Sequence, residues 1–317
     1  MSPKRKRITL CWRQGVKRTQ SLIHLGKTFQ WCKDPDKLLD ALQDGALRHH
    51  EYHQYLKLGH LEKMFLGDKM LLRRGNSTEL DDWRECGEFG NPELWFRIYL
   101  GCFCHERTES AAFWWMYGQG KEDAVRLTFR RPILRLWLKK LKTMESVQPF
   151  IGDEAEKKIV PEKHAVSQIP FFTDVAYATI RKPILAERSI DSVNTNGVLA
   201  VSWDGICRHV TDLDAIVKKD AATGRFKDYE WRFERETRLI VEIKPSKSSP
   251  DQIIVPVDWK GLSEIGSIRI TAGPWMPERK FIEMKRRLEM ILRGKRIDPY
   301  AFPIQRSCLT GALNYRK

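Results

Sequence analysis

Two glutamates separated by one residue, Glu234 and Glu236, come just before the apolar run RLIV, and Glu242 and Lys244 follow that run. The leucine and β-branched side chains of the run favour a strand buried on both faces. The charged residues would then lie at the two ends of the strand, where a sheet can offer them to a ligand. A carboxylate pair at one end could stabilise a developing positive charge and move a proton. The carboxylate and the lysine at the other end could instead bind a divalent ion and position a water molecule.

The bulk properties are those of a folded, basic protein. The chain has 317 residues, of which 42% are hydrophobic and 11 are tryptophans, and this favours a globular fold with a large core. Its net charge of +15 would attract polyanions or anionic ligands. The seven cysteines lack regular spacing, which argues for a reducing compartment, and we find neither a secretory signal nor an apolar run long enough to span a bilayer. We therefore predict a cytoplasmic protein with no membrane partner, for which nucleic acid is a candidate partner.

Apolar periodicity and the positions of Gly and Pro predict an α+β fold in which strands alternate irregularly with helices. Strands are predicted within 51–57, 70–74, 95–106, 122–129, 174–180, 239–243, 251–262 and 266–274. Helices are predicted within 58–70, 108–120, 131–144 and 277–295, and one more begins at Asp34 and Pro35 and ends at Gly45. We assign that last helix to a basic N-terminal extension, residues 1–45, and predict one α+β domain over residues 46–317.

Five segments follow one another in an order that is typical of a bacterial family. They are YHQYLK (Tyr52 to Lys57), LDDWRE (Leu80 to Glu85), CFCHERTESAAFWWMYG (Cys102 to Gly118), WRFERETRL (Trp231 to Leu239) and AGPWMPERKF (Ala272 to Phe281). On these segments the chain resembles the bacterial domain of unknown function 2971. The resemblance implies a split, twisted, mixed or antiparallel β-core with flanking helices, similar to the ADP-ribosyltransferase fold.

The same resemblance implies residues that would hold NAD⁺. His53 or Tyr55 would contact it from the first strand, and Cys104, within a CFC segment that replaces the expected hydroxyl residues, would contact it from the second. Trp115 and Tyr117 would stack on the nicotinamide or the adenine, because aromatic planes suit flat heterocycles.

Glu236 is the catalytic residue that the resemblance implies. Cleavage of the nicotinamide–ribose bond develops positive charge on the ribose, and a nearby carboxylate stabilises that charge. Glu234, on what we predict to be an extended segment, would point to the same side and orient or deprotonate the incoming nucleophile. Arg238 would pair with the pyrophosphate or lock a glutamate. The expected function is NAD-dependent ADP-ribosyl transfer to a protein or nucleic-acid acceptor, in the setting of a toxin or a phage-defence effector.

Structural roles remain open for the same residues. Glu234 and Glu236 could form surface ion pairs with the neighbouring arginines, the aromatic residues of 113–117 could belong to the core, and His53 could be a hydrogen-bonded structural histidine. The chain would then be a non-catalytic basic module that binds nucleic acid or regulates a partner.

The other end of the apolar run resembles the Glu-x-Lys strand of restriction-like nucleases. Glu242 would bind Mg²⁺, Lys244 would position the attacking water, and Asp228 is the nearest candidate for a second metal ligand. The positive net charge suits a polyanionic substrate. Against this hypothesis, Asp228 lies beside a lysine and a tyrosine rather than at a clear turn into a strand.

A zinc site is not predicted. Cys102, Cys104 and His105 lie close together in the sequence, with Cys86 upstream, but no CxxC pair occurs and alternation along a strand sends them to different faces.

Overall fold

The computed structural model describes residues 35–77, 85–86, 89–106, 108–118, 122–150, 162–178, 199–202, 207–210, 220–246 and 249–312. Residues 1–34 of the predicted extension and residues 80–84 of the LDDWRE motif lie outside these ranges. The helices are α1 (Pro35–Ala46), α2 (Leu58–Gly67), α3 (Pro92–Trp95), α4 (Ala111–Met116), α5 (Arg131–Leu141), α6 (Trp259–Ser263) and α7 (Glu278–Gly294). Short 3-10 helices cover Asp220–Ala222, Tyr229–Glu234 and Pro299–Ala301.

The strands of the described ranges form two sheets. They are β1 (Glu51–Lys57), β2 (Lys69–Arg74), β3 (Ile98–Cys104), β4 (Ala124–Arg130), β5 (Ser146–Pro149), β6 (His164–Ala165), β7 (Phe171–Asp174), β8 (Ala176–Ala178), β9 (Leu199–Ser202), β10 (Cys207–Val210), β11 (Phe226–Asp228), β12 (Glu236–Glu242), β13 (Gln252–Pro256), β14 (Arg269–Ala272) and β15 (Ile304–Arg306). The large sheet has the order β15-β14-β4-β1-β3-β2-β13-β5-β6, and β12 pairs with both β3 and β7. The small sheet has the order β10-β9-β8-β11. Antiparallel pairs predominate, with parallel pairing of β14 to β15 and of β8 to β11, so the predicted α+β class with a mixed sheet is confirmed.

Strand β3 lies where the large sheet divides. One edge of β3 pairs with β12 over its whole length. On the other edge, β1 pairs with β3 at Cys104 through His53, whereas β2 pairs with the opposite end of β3 at Tyr99 and Leu100. Strands β1 and β2 therefore diverge from a common neighbour, which is the split that the sequence analysis predicts.

The two faces of the large sheet differ because successive side chains of a strand point to opposite sides. On one face, Phe103 of β3 and Phe129 of β4 pack with the buried Trp137 of α5 and with Trp259 of α6. Pro132, in the first turn of α5, suits a helix start because that position needs no backbone donor. The larger part of the core lies on this face. The opposite face carries polar residues and a smaller apolar cluster, in which Ile98, Leu100 and Ile240 pack with Trp95.

Helix α1 packs against the large sheet at β7. Leu39 and Leu42 are buried, and the backbone carbonyl of Leu39 accepts a hydrogen bond from Nη1 of Arg225 at 3.2 Å. Gly45 lies so close to the sheet that a Cβ there would stand 2.9 Å from Oδ2 of Asp174. The helix that we predict in the extension thus continues to Ala46 and contacts the body of the protein.

Within the described ranges, no helix is both long enough and apolar enough to cross a bilayer.

Candidate active site

One registered row of residues crosses the polar face of the large sheet. The register pairs Arg269 with Thr128, Thr128 with His53, His53 with Cys104, and Cys104 with Glu236. Partners that face each other across neighbouring strands point to the same side of a sheet. Three residues predicted from the sequence, His53, Cys104 and Glu236, therefore share one face.

Helix α4 covers the part of this face next to Tyr55. The Tyr55 ring stacks on Phe113 with their centroids 5.3 Å apart, and Trp114 meets it edge-on at 4.8 Å. Arg126, the registered partner of Tyr55 on β4, places its guanidinium 5.8 Å from the same ring. Tyr55 is thus held between an aromatic helix and a cation.

Trp115 lies elsewhere. Its side chain is 58% exposed, and its ring packs edge-on against Trp275 at 6.1 Å. Helical periodicity turns its neighbours Phe113 and Trp114 toward Tyr55 and turns Trp115 outward, away from Tyr55. The stacking of Trp115 on the nicotinamide or the adenine stays a prediction.

Glu109 joins the loop before α4 to the sheet. One of its oxygens accepts from Nη2 of Arg126 at 3.1 Å, and the other accepts from Nε1 of Trp114 at 3.2 Å and from the hydroxyl of Ser307. The Arg126 and Glu109 side chains are 4% and 6% exposed, so this is a buried ion pair. It fixes α4 over the polar face.

Five charged residues form what we call the carboxylate cluster: Glu85, Lys227, Glu234, Glu236 and Arg238. Arg238, 1% exposed, donates to both oxygens of Glu236, from Nε at 2.8 Å and from Nη2 at 3.0 Å. Its Nη groups also donate to Glu85, from Nη2 at 3.0 Å, and to the carbonyl of Gly224 at 3.0 Å. A planar guanidinium suits this arrangement because it presents donors along two edges. Arg238 thus locks a glutamate, one of its two predicted roles.

Lys227 links the two glutamates that the sequence analysis selects. Its Nζ lies 2.7 Å from Oε2 of Glu234 and 3.8 Å from Oε2 of Glu236. The other oxygen of Glu234 accepts a hydrogen bond from the hydroxyl of Tyr117. Glu234 and Glu236 are 3% and 7% exposed, so they are buried ionic residues and the alternative of surface ion pairs is wrong.

The sequence predicts an extended backbone between the two glutamates, but the structure has a turn there. Glu234 ends the 3-10 helix Tyr229–Glu234, Arg235 has φ +44°, and β12 begins at Glu236. A positive φ is unfavourable for a side chain such as arginine and persists where the surroundings impose it. Arg235 turns outward to Glu106, with Nε 3.0 Å from a carboxylate oxygen, and the turn brings Glu234 back toward Lys227.

The pKa values of Glu234 and Glu236 move in opposite directions. Burial raises the pKa of Glu234 to about 7; the Glu236 anion adds to this rise, while Lys227 opposes it. Burial would raise the pKa of Glu236 as well, but Arg238 and Lys227 outweigh burial and lower it to about 2. Glu236 is therefore ionised, whereas Glu234 can exchange a proton near neutral pH.

The thiols on this face are neutral. Burial raises the pKa of Cys104 to about 12, and burial followed by the charge of Glu236 raises that of Cys102 well above its ordinary value. Since the thiolate is the nucleophilic form, neither cysteine is suited to covalent catalysis.

His53 is also neutral. Burial, and then the nearby Arg126 and Arg269, lower its pKa to about 3. Its Nδ1 lies 3.0 Å from the Thr128 hydroxyl, while its buried Nε2 has no hydrogen-bond partner in the described residues. Nε of Arg126 is likewise buried without a partner there. Such atoms usually find a partner, so the row offers places for ligand polar atoms.

The residues of the nuclease hypothesis are not brought together. Glu242 lies at the far end of β12, where it accepts from Nε2 of Gln168 at 2.7 Å, and Lys244 is exposed. Asp228 follows Lys227, which pairs with Glu234 near the start of β12. A strand of this length separates its ends by about 20 Å. Asp228 and Glu242 therefore cannot share a metal ion, and that hypothesis is contradicted.

Sequence reasoning missed four residues of this site: Glu85, Glu109, Arg126 and Lys227. Arg126 interrupts an otherwise apolar strand, and Lys227 stands seven residues before Glu234. A charged residue within a predicted strand is the signal that could have identified both. Glu85 reaches Arg238 from 153 residues away, a distance over which the sequence offers no pattern.

Comparisons with known proteins give distant structural matches. No family model matches the chain, so the resemblance to domain of unknown function 2971 gains no support, and no curated protein matches. Similar solved structures include DarT from Thermus sp. 2.9, in complex with carba-NAD⁺ and in complex with NAD⁺. Each match covers 82% of this chain and 96% of the DarT chain, at 12% sequence identity and a TM-score of 0.32. A similarity this distant carries no argument about the reaction, which the side chains must support by themselves.

Proposed function

We propose that the protein binds NAD⁺ as a substrate and transfers its ADP-ribose unit to an acceptor, with Glu236 and Glu234 as the catalytic residues. The observation that carries the proposal is the opposite shift of two buried carboxyl pKa values around one lysine, Lys227. Charge stabilisation needs a group that stays ionised, and proton transfer needs one that titrates near the working pH. The pair supplies both.

Glu236 is suited to stabilise positive charge on the ribose. Arg238 occupies one lone pair on each of its oxygens, and a carboxylate offers about four acceptor positions in all, so capacity remains for a ribose hydroxyl. Since Arg238 holds the carboxylate in place, little reorganisation would accompany the reaction.

Glu234 is suited to accept the acceptor's proton. In the transfer, the nicotinamide–ribose bond breaks and nicotinamide leaves with the electron pair. The acceptor forms the new bond to the same ribose carbon and releases a proton, which the Glu234 carboxylate takes up. Lys227 and Tyr117, which both donate to Glu234, hold it for this step.

The remaining polar face would hold NAD⁺. His53 offers its unpartnered Nε2 and Arg126 its unpartnered Nε. A ligand that satisfies these buried atoms removes a desolvation cost of about 1–3 kcal/mol for each.

The test is transfer of label from NAD⁺ that carries ³²P in its adenylate phosphate. Purified protein is incubated with this NAD⁺ and with lysate protein, DNA or RNA, and each fraction is examined for bound label. Glu236→Gln should abolish transfer. Glu242→Gln is the matched control, because it makes the same change in the same strand at the end away from the carboxylate cluster, and it should leave transfer intact.

Two results would contradict the proposal. One is label transfer by Glu236→Gln at the wild-type rate. The other is the absence of both transfer and NAD⁺ binding by the wild-type protein at millimolar NAD⁺. Thermal unfolding of each variant shows whether a loss of transfer reflects a loss of fold.

One observation favours the non-catalytic alternative of a nucleic-acid-binding module. Residues 1–34 contain nine Lys or Arg and one acidic residue, so they carry more than half of the net charge of +15. Binding of single-stranded and double-stranded DNA and RNA by the full chain, measured at several salt concentrations, tests this alternative independently of NAD⁺.

A further inference from the structure

A second group of titratable residues lies on the face of β12 opposite the carboxylate cluster. Thr237, between Glu236 and Arg238, points to that opposite face and donates from its hydroxyl to Oδ1 of Asp174 at 2.6 Å. Nε2 of His49 lies 3.0 Å from Oδ1 and 2.9 Å from Oδ2 of Asp174. Nδ1 of His105 lies 4.0 Å from Oδ1.

We propose that His49, His105 and Asp174 bind one divalent transition-metal ion of the zinc type. One ligand atom from each residue lies within 4.8 Å of the other two, and two imidazoles with one carboxylate form a common donor set for zinc. Three protein ligands leave a fourth position for water. The inference does not depend on ADP-ribosyl transfer.

The distances between the ligand atoms suit such an ion. Bonds of about 2.0–2.2 Å in tetrahedral geometry place the ligand atoms about 3.4 Å apart. Nε2 of His49 lies 3.0 Å from Oδ1 of Asp174, which is shorter than this, and Nδ1 of His105 lies 4.0 Å from the same oxygen, which is longer, so each distance needs to change by about half an ångström.

The burial of Asp174 also calls for a cation. Its side chain is 1% exposed, and the basic groups found within 4.0 Å of it in the described part of the chain are the two histidines. A buried carboxylate is stable when it is paired or when it coordinates a metal. A divalent ion would take the place of the proton that His49 shares with Asp174.

The orientation of the two rings defines what must move. The imidazoles of His49 and His105 stack with their centroids 3.6 Å apart and their planes 3° from parallel, so one ring must tilt before both lone pairs meet at one ion. His49 lies in the turn between α1 and β1 and is 20% exposed, which makes it the ring that can tilt.

His105 needs a change of tautomer as well. The Thr237 hydroxyl donates its proton to Asp174, so the Thr237 oxygen accepts a hydrogen bond from Nδ1 of His105, which lies 3.0 Å away. Coordination through Nδ1 would replace that hydrogen bond and place the ring proton on Nε2.

The experiment is a zinc titration of the full chain after treatment with a chelator. Calorimetry gives the stoichiometry and affinity, and cobalt substitution gives a visible spectrum that reports coordination geometry. Variants are His49→Gln, Asp174→Asn and, as the matched control, His50→Gln, which changes an exposed neighbouring histidine. The His49→Gln change is on a partly exposed turn, so that variant remains informative if Asp174→Asn fails to fold.

We expect one zinc ion per wild-type chain and a rise in Tm on zinc addition. His50→Gln should behave as the wild type, whereas His49→Gln should lose affinity by about 100-fold or more. Absence of binding by the wild type at micromolar zinc would overturn the proposal, and so would undiminished binding by His49→Gln.

Discussion

The hydroxyl of Tyr117 donates a hydrogen bond to Glu234, although the two residues lie 117 positions apart in the chain. The bond ties the end of α4 to the turn before β12. It therefore connects the aromatic helix that covers Tyr55 with the residue that titrates near neutrality.

Tyr117→Phe should destabilise the protein by about 1.5–3 kcal/mol, because it removes a hydrogen bond to a buried carboxylate and leaves an acceptor unsatisfied. Urea unfolding of both proteins measures the difference. Tyr300→Phe is the matched control, since that side chain is 88% exposed and its change should stay within about 0.5 kcal/mol. Equal effects of the two changes would show that the Tyr117 bond contributes nothing.

Arg238→Met should be far more damaging. It leaves Glu236 and Glu85 buried without their shared cation, and breaking a buried pair costs about 3–5 kcal/mol. The free energy of unfolding is the measurement.

The matched control for Arg238→Met is Arg306→Met. Arg306 pairs with a Glu278 side chain that is 68% exposed, so its ion pair should contribute no more than about 1 kcal/mol. Comparable losses in the two variants would contradict the buried network.

Glu234 should make stability fall as pH rises from about 4.5 to about 7, because its pKa is 4.5 ordinarily and about 7 in the folded state. The folded protein binds the extra proton in that window, so unfolding becomes easier by up to about 1.4 kcal/mol per pH unit. The groups that face Glu234 are Lys227, Glu236, Tyr117 and Cys104.

The measurement is the free energy of unfolding at pH 5, 6 and 7, compared between the wild type and Glu234→Gln. The variant should lose this contribution to the slope. If transfer activity is found, it should rise with pH through about 7 in the wild type, since the base must be ionised. An unchanged stability slope in the variant would show that Glu234 does not titrate there.

His53 should have the opposite effect on stability. Its pKa is 6.5 ordinarily and about 3 in the folded state, because the site is buried and Arg126 and Arg269 repel the charged form. Thr128 contacts the ring, and the nearby Glu106 backbone partly offsets the shift. The unfolded chain therefore binds the proton as pH falls below about 6.5, and stability is lost down to about pH 3.

Acid-induced unfolding of His53→Gln and of the exposed control His50→Gln measures this effect. The His53 variant should show a shallower loss of stability between pH 6.5 and 4 than the control. Identical acid profiles would contradict a neutral, buried His53.

Gly224→Ala should destabilise the protein by about 1–2 kcal/mol, because Gly224 has φ +77° and its carbonyl accepts from Arg238. An added Cβ would also lie 3.1 Å from Ile98. Gly59→Ala, in α2 with open space around it, should be neutral or stabilising by up to about 1 kcal/mol, and thermal unfolding compares the two. A neutral Gly224→Ala would show that the backbone there is not constrained.

Local patterns predicted most elements of the fold but not their ends. The helix predicted within 108–120 covers Ala111–Met116, and the strand predicted from 95 begins at Ile98 because α3 precedes it. Periodicity of apolar residues identifies an element, whereas hydrogen bonds to its neighbours determine where it ends. The sequence did not predict strands β5, β6, β7, β9, β10, β11 and β15.

The sequence by itself determined the basic character of the chain, most element types, and the position of Glu236 and Arg238 on the same face of one strand. Element type and strand face depend only on neighbours within a few residues. The tertiary structure alone decided which charges meet. Lys227 pairs with Glu234 through a turn, Glu85 reaches Arg238 across 153 residues, and His49 meets Asp174 across 125. The shifted pKa values of the carboxylate cluster follow from these contacts, because burial and the distances between charges are set only in the folded chain.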